Sequence, residues 1–268
     1  MIIEQEKKSD YIDVKIPRIT FQNTSINGFL VFVLVVFTFL IGMLTNKVLV
    51  LQKEMKDKAS QPVAQAAVPQ AVPTEDTSPK KVSVDNDPVL GQPDAKITMI
   101  EFSDYECPFC KRYFDDTYSQ IKKAYVDTGK IKIVYRDLPL SFHQNAHKEA
   151  EAAECVREQS DDSVYFKFHD IVFTRTTSNG TGLALDQLPV IANELGLDGQ
   201  KLQACLDSGK YKAEVDKDIA DATAVGANGT PTFFVGKSTS NGVILGTRLV
   251  GAQPFSAFQT LIDQQLKN

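Results

Sequence analysis

Lys96-Ile97-Thr98-Met99-Ile100-Glu101-Phe102 runs through Ser103-Asp104-Tyr105-Glu106 into Cys107-Pro108-Phe109-Cys110, and the reading of this stretch decides the fold. The first seven residues alternate as a strand does. From Cys107 to Thr128, Phe109, Tyr113, Phe114, Tyr118, Ile121 and Tyr125 fall at helical spacing, and Gly129 stands where a helix ends. The two cysteines therefore sit at the seam, spaced i, i+3 at a helix start. Such a pair can close a small reversible disulfide. The partial positive charge of the helix N-terminus favours the thiolate of Cys107, the attacking species in thiol–disulfide exchange. Half a zinc site has the same spacing, but no second C-x-x-C supplies the other ligands.

Working outward, Lys130 to Arg136 reads as a second strand, parallel to the first by strand–helix–strand logic. Helical segments follow at His143–Gln159, Val164–Thr174, Leu185–Leu195, Lys201–Ser208 and Tyr211–Val225. Strands at Thr232–Val235 and Val243–Val250 come next, and Pro254–Leu266 forms a last helix. The order is β-α-β, a helical block over about 142–226, then β-β-α, in a folded domain at 82–268.

Before that domain the chain changes character. Gly28 to Leu44 carries no charge, and with Thr45 to Leu51 it reaches the roughly 20 residues that cross a bilayer. No small-residue cleavage site follows closely, so 28–51 reads as an uncleaved transmembrane anchor behind a polar tail at 1–27. Residues 52–81 are rich in Pro and Ala, with prolines at 62, 69, 73 and 79, and read as a semi-extended tether. Lys15 and Arg18 precede the run, and Lys47, Lys53, Lys56 and Lys58 follow it. This bias opposes a cytoplasmic N-terminus. Disulfide chemistry needs an oxidising compartment, and on that ground the folded domain is placed outside the cytoplasm, on a single-pass cell-membrane protein. The net charge of −5 and the lack of a basic stripe argue against nucleic acid as a partner.

The folded part resembles the DsbA family of thiol-disulfide oxidoreductases. The likeness rests on Asp87-Pro88-Val89-Leu90-Gly91, on Glu101 to Cys110, on Tyr135-Arg136-Asp137-Leu138-Pro139-Leu140 and on Gly229-Thr230-Pro231-Thr232-Phe233-Phe234-Val235. It covers about Val82 to Leu266. The fold it implies is an α/β thioredoxin fold with an inserted helical domain, here preceded by a single transmembrane helix. The implied activity is disulfide formation in reduced or unfolded extracytoplasmic proteins, with a membrane reoxidase of the DsbB or VKOR type as partner and with no cofactor or metal. The alternatives are a reductase or isomerase on the same fold, or a redox-inert peptide-binding module. One departure is the Pro-Phe pair between the cysteines, where the best-known periplasmic oxidase has Pro-His.

Residue roles follow. Cys107 is the expected nucleophile, exposed at the helix start, with a depressed pKa that Asp104 and Glu106 would oppose if they point at it. Cys110 is the resolving thiol, more buried. Pro108 stiffens the turn by fixing φ and removing a donor. Phe109 offers the sulfur no hydrogen bond and either tunes the pair or faces substrate. The resemblance makes Glu101 the buried acid that shuttles the proton of Cys110, and Pro231 a cis proline whose loop, with Thr230, binds an extended substrate. Cys155 and Cys205 are either a structural disulfide or two buried thiols; the expected pairing is 107–110 with 155–205. His143 and His147 share a helix face without a third ligand, and His169 is expected at a helix surface.

Overall fold

The computed structural model describes residues 78–267, together with positions 36–38, 41, 43 and 47, which are all helical. The chain divides into two compact units, Met1–Val72 and Pro73–Asn268. Most of the expected anchor, and the tail and tether before residue 78, lie outside the described residues. Among the described residues no helix is long and apolar enough to cross a membrane.

The second unit is built on a six-stranded sheet. Its strands are β1 (Lys80–Ser83), β2 (Val89–Leu90), β3 (Ile97–Ser103), β4 (Ile131–Asp137), β5 (Thr232–Lys237) and β6 (Val243–Val250), in the order β1-β6-β5-β3-β4-β2. β3 and β4 are parallel, and every other neighbouring pair is antiparallel. β3 is central and wholly buried, as its run of apolar residues requires. Its alternation feeds two cores. Ile97 and Met99 pack with Phe233, Phe258 and Ile262, whereas Ile100 and Phe102 pack with Val134, Phe234 and Ala222.

Helix follows β3 from Pro108 to Val126, but not as the single regular α-helix that the spacing predicts. α1 (Pro108–Tyr113) and the short α2 (Ser119–Ile121) alternate with π-helical turns at Phe114–Tyr118 and Lys122–Val126. The wider turn accommodates the five-residue step from Tyr113 to Tyr118, which keeps both rings on the buried face, 6.3 Å apart. Phe109 falls off that face.

Five helices lie between β4 and β5: α3 (Ala146–Glu158), α4 (Asp162–Arg175), α5 (Gln187–Glu194), α6 (Gly199–Ser208) and α7 (Lys212–Val225). α8 (Phe255–Lys267) closes the chain. Asp161 and Asp198 cap α4 and α6 through side-chain oxygens. Gly226 ends α7 with φ of 80°, a left-handed turn that suits glycine, and delivers the chain to the loop before β5. His169 is buried inside α4, contrary to the surface position expected for it. The rings of Tyr105, Phe114, Tyr118, Tyr135, Phe166 and Phe173 surround it with centroids 4.9–5.9 Å away. Phe166 and Phe173 lie on α4 itself, three residues before and four after His169, but the other four rings come from the loop after β3, the first π-helical turn and β4, which no local pattern displays.

The two short strands β1 and β2 were not expected from the sequence. The buried Arg136 of β4 ties this N-terminal segment down. Its guanidinium meets Asp87 at 2.7 Å, Asp221 at 2.8 Å, Asp218, and the Ser83 carbonyl at 3.3 Å. A buried guanidinium demands such partners.

Candidate active site

The parallel pair β3–β4 and the start of β5 end at the same edge of the sheet, and the loops leaving them build the site. Cys107 is the N-cap of α1, and Pro108 takes the first helical position, where its missing N–H costs nothing. The Cys107 amide donates to the Asp104 carbonyl at 3.1 Å, and the Lys111 amide donates to the Cys107 carbonyl at 3.0 Å. The Thr230–Pro231 bond is cis. The loop it shapes lays the Thr230 carbonyl 3.4 Å from the Cys107 Sγ, which donates to it only while Cys107 is protonated. This loop corrects the expected exposure of Cys107: the residue is only 3% exposed, because Thr230 covers it from 123 positions away in the chain.

Cys107 and Cys110 are free thiols in very different settings. Cys107 is lowered to about 6. A hydrogen bond from the Cys110 thiol is the main cause, aided by the Thr230 side chain and the amides of Cys110 and Phe109 at the helix start. Burial opposes this shift and is outweighed. Cys110 is pushed well above the usual thiol range, first by burial and then by its neighbour Cys107. One sulfur is thus held as a thiolate at neutral pH and the other as a thiol.

The acids beside Cys107 do not point at it. Asp104 accepts from the Glu106 amide (2.8 Å), the Leu140 amide (2.8 Å) and His143 Nδ1 (2.7 Å). Burial raises its carboxyl in spite of these bonds. Glu106 is fully buried and accepts from Thr176 Oγ1 (2.8 Å), the Gly182 amide (2.6 Å) and the Leu183 amide (3.0 Å). Gly182 admits no side chain there, since a Cβ would stand 2.1 Å from the Ser178 amide nitrogen. Both carboxyls are therefore spent on fastening the active-site loop to the segments that flank α3 and α4.

Glu101 lies on β3, 2% exposed, and burial raises its carboxyl to about 8, with the hydroxyls of Ser103 and Tyr113 opposing the rise. Ser103 lies two residues on, on the same face of the strand, and its hydroxyl also adjoins Cys110. Tyr113 faces both Glu101 and Cys110. Glu101 and Cys110 thus share two polar neighbours that the sequence reading missed. Period-two spacing from Glu101 was the available signal for Ser103.

Phe109 turns outward, 54% exposed, with the Arg112 guanidinium 5.0 Å from its ring centre. Cys155 and Cys205 join α3 to α6 through a disulfide, with their Cα atoms 6.1 Å apart. His143 binds Asp104. His147 reaches Glu151 at 3.0 Å and Asp216 at 3.1 Å. Among the described residues no three metal-ligating side chains gather.

A buried high-pKa thiol behind a low-pKa thiol suits two-electron exchange with another protein's sulfurs, and comparison with known proteins agrees. A family model described as thioredoxin matches residues 83–264. Disulfide bond formation protein D of Bacillus subtilis is 28% identical over 156 residues, which are 57% of this chain and 69% of that protein. The Na(+)/H(+) antiporter NhaA of Herminiimonas arsenicoxydans is 34% identical over 149 residues, 56% of this chain, so that the match spans only 22% of the antiporter's length. Among solved structures, oxidised BdbD from Bacillus subtilis superposes with a TM-score of 0.61 at 25% identity, covering 72% of this chain and all of that one. Alpha-DsbA1 of Wolbachia pipientis gives a TM-score of 0.59 at 26% identity, over 69% and 94% of the two chains. The chain belongs to the thioredoxin family, among its DsbA-like thiol-disulfide oxidoreductases.

Proposed function

We propose that this protein is a membrane-anchored oxidase that introduces disulfides into extracytoplasmic proteins through the pair Cys107–Cys110. The asymmetry of the two sulfurs carries the reading. In the oxidised pair, a substrate thiolate attacks the Cys107 Sγ. The Cys107–Cys110 bond breaks, and the Cys110 sulfur leaves with the electron pair and takes a proton, which Glu101 can give. The second substrate thiolate then attacks the substrate sulfur of the mixed disulfide and expels Cys107. A thiol lowered to about 6 leaves readily, which favours this direction of flow. The two electrons remain on the reduced pair and pass to a membrane reoxidase of the DsbB or VKOR type. Thr230 and Pro231 present the loop edge to an extended substrate, and Pro108 and Phe109 form the surface beside it.

Residues 28–51 serve as the anchor, with 1–27 in the cytoplasm and the tether running from 52 to 79, two residues shorter than the sequence suggests because Lys80 and Lys81 pair with β6 as part of β1. Of that run, Val36, Phe37, Ile41 and Met43 are helical with 41–63% of their surface exposed, which suits side chains that lipid covers. The deciding experiment is a glutathione redox titration of the full chain, read by alkylation and mass spectrometry because the chain has no Trp. A potential near about −120 mV supports the oxidase; one near about −270 mV makes the protein a reductant and overturns the proposal.

A further inference from the structure

Glu149, on α3, is wholly buried, and neither of its carboxyl oxygens meets a hydrogen-bond donor among the described residues. A buried carboxylate without a donor or a cation is costly. What faces it is more acid: Glu106 and Asp104, both from the loop that ends at Cys107.

The surroundings of Glu106 are the opposite. Its carboxyl accepts from Thr176 Oγ1 and from the amides of Gly182 and Leu183, and its main-chain carbonyl accepts from the Asn179 amide at 2.8 Å. The chain bends round it through left-handed backbone at Ser178 and Asn179, with φ of 65° and 64°. Such a set of donors suits a carboxylate. The start of α3 is fastened to the same segment. The Asn145 amide donates to the Gly180 carbonyl at 2.8 Å, and the Asn145 side-chain amide donates to the Leu183 carbonyl at 2.7 Å. Glu149 follows one turn later, its amide donating to the Asn145 carbonyl at 3.0 Å.

Two carboxyl groups that meet away from water share one proton. The donors are all on Glu106, so the proton belongs to Glu149. Burial, and then the charge of Glu106, raise the Glu149 carboxyl from 4.5 to about 10. A carboxyl that keeps its proton can donate it, and a carboxylate has about four acceptor positions, one more than the donors already on Glu106 fill.

We propose that Glu149 is a positioning residue for thiol–disulfide exchange: as a neutral carboxylic acid it donates its O–H to Glu106 and holds that carboxylate turned away from the Cys107 sulfur. The assignment rests on Cys107 as the nucleophile. With no donor at position 149, the Glu106 carboxylate is free to turn toward Cys107, the next residue, and to disfavour its thiolate.

The test compares Glu149→Gln, whose amide still donates, with Glu149→Met, which fills similar space and cannot. In the reduced full chain, the pH profile of Cys107 alkylation is read by mass spectrometry; the oxidised full chain is reacted with dithiothreitol. Glu149→Gln should keep the wild-type midpoint and stay within about twofold in rate, whereas Glu149→Met should raise the midpoint and slow exchange about tenfold, the scale of one lost hydrogen bond to a charged group. In a Glu106→Gln background, where no charge can turn, Glu149→Met should leave the midpoint unmoved. Infrared difference spectra of wild type against Glu149→Gln at about pH 8 should show the carbonyl band of a protonated carboxyl. A carboxylate band in its place would overturn the assignment, even where Glu149→Met fails to fold. So would a Glu149→Met midpoint equal to that of Glu149→Gln, or a Glu149→Met shift that persists beside Gln at position 106. If the oxidised wild-type chain does not react with dithiothreitol, the oxidoreductase reading itself fails and the positioning role falls with it; if it reacts and the expected differences are missing, only Glu149 is misread.

Discussion

Replacing Glu101 by Gln should make the protein more stable and slower. The carboxyl rises from 4.5 to about 8 because it is buried on β3. A tenfold change in proton affinity is worth about 1.4 kcal/mol, so ionising this group in the folded state costs on the order of 5 kcal/mol at most. The sign follows from linkage. A group whose folded pKa is raised holds its proton more tightly folded than unfolded. Its favourable contribution is complete below 4.5 and is lost as pH climbs toward 8. Gln carries no proton to lose. The difference in stability between Glu101→Gln and wild type should therefore be near zero at about pH 4 and grow by up to ~1.4 kcal/mol per pH unit between about 5 and 8. Other buried acids titrate in both proteins and cancel in the difference. Denaturant unfolding of the reduced chain across this pH range, followed by tyrosine near-ultraviolet circular dichroism, measures it. Exchange kinetics give the second arm. If the ionised carboxyl takes the Cys110 proton when the pair closes its disulfide, the wild-type rate of that step rises through about pH 8, and the Gln variant loses this inflection and about a hundredfold in rate. A stability difference that is flat with pH, or identical pH–rate profiles, would refute the placement of Glu101.

The Cys107 thiol should titrate near 6 by thiolate absorbance, and Thr230→Val should move it up, since the Thr230 side chain is one of the groups that lower it; a wild-type midpoint above about 8 contradicts the site geometry. Cys155→Ala with Cys205→Ala should cost roughly 3–4 kcal/mol of stability, as expected for a loop of this length, and leave the potential of the Cys107–Cys110 pair unmoved. A shifted potential would show that the bond reaches the site. Gly182→Ala should destabilise the oxidised and reduced forms alike, by about 2 kcal/mol or more, because the added carbon collides with backbone at Ser178 and displaces a donor to Glu106. Unchanged unfolding midpoints would mean that this loop yields freely.

Period-two and helical patterns were enough to place β3 to β6 and the helices from α3 to α8, because each of those elements buries a face that its own residues define. β1 and β2 escaped for the opposite reason. Lys80 and Lys81 look like solvent residues, and only the edge of β6 and the buried Arg136 make a strand there worthwhile. The same division runs through the site. The helix start at Cys107 and the acid at Glu101 are local or nearly so. The burial of Cys107 depends on a loop 123 residues downstream, and the fate of Glu106 on donors 70 to 77 residues away. Two acids flanking a thiolate read as a threat to it until the fold shows where they point.

The ring of aromatic side chains around His169 gives the molecule a reporter. The chain has three histidines and no tryptophan. Only His169 stands among six aromatic rings, so its carbon-bound protons should resonate well away from those of His143 and His147 in a nuclear magnetic resonance spectrum. Tyr105 and Tyr135, two of those rings, belong to the same buried cluster as Cys107 and Cys110. A change in packing when the pair opens or closes would move one isolated signal, so the redox state of a buried pair can be followed without a label.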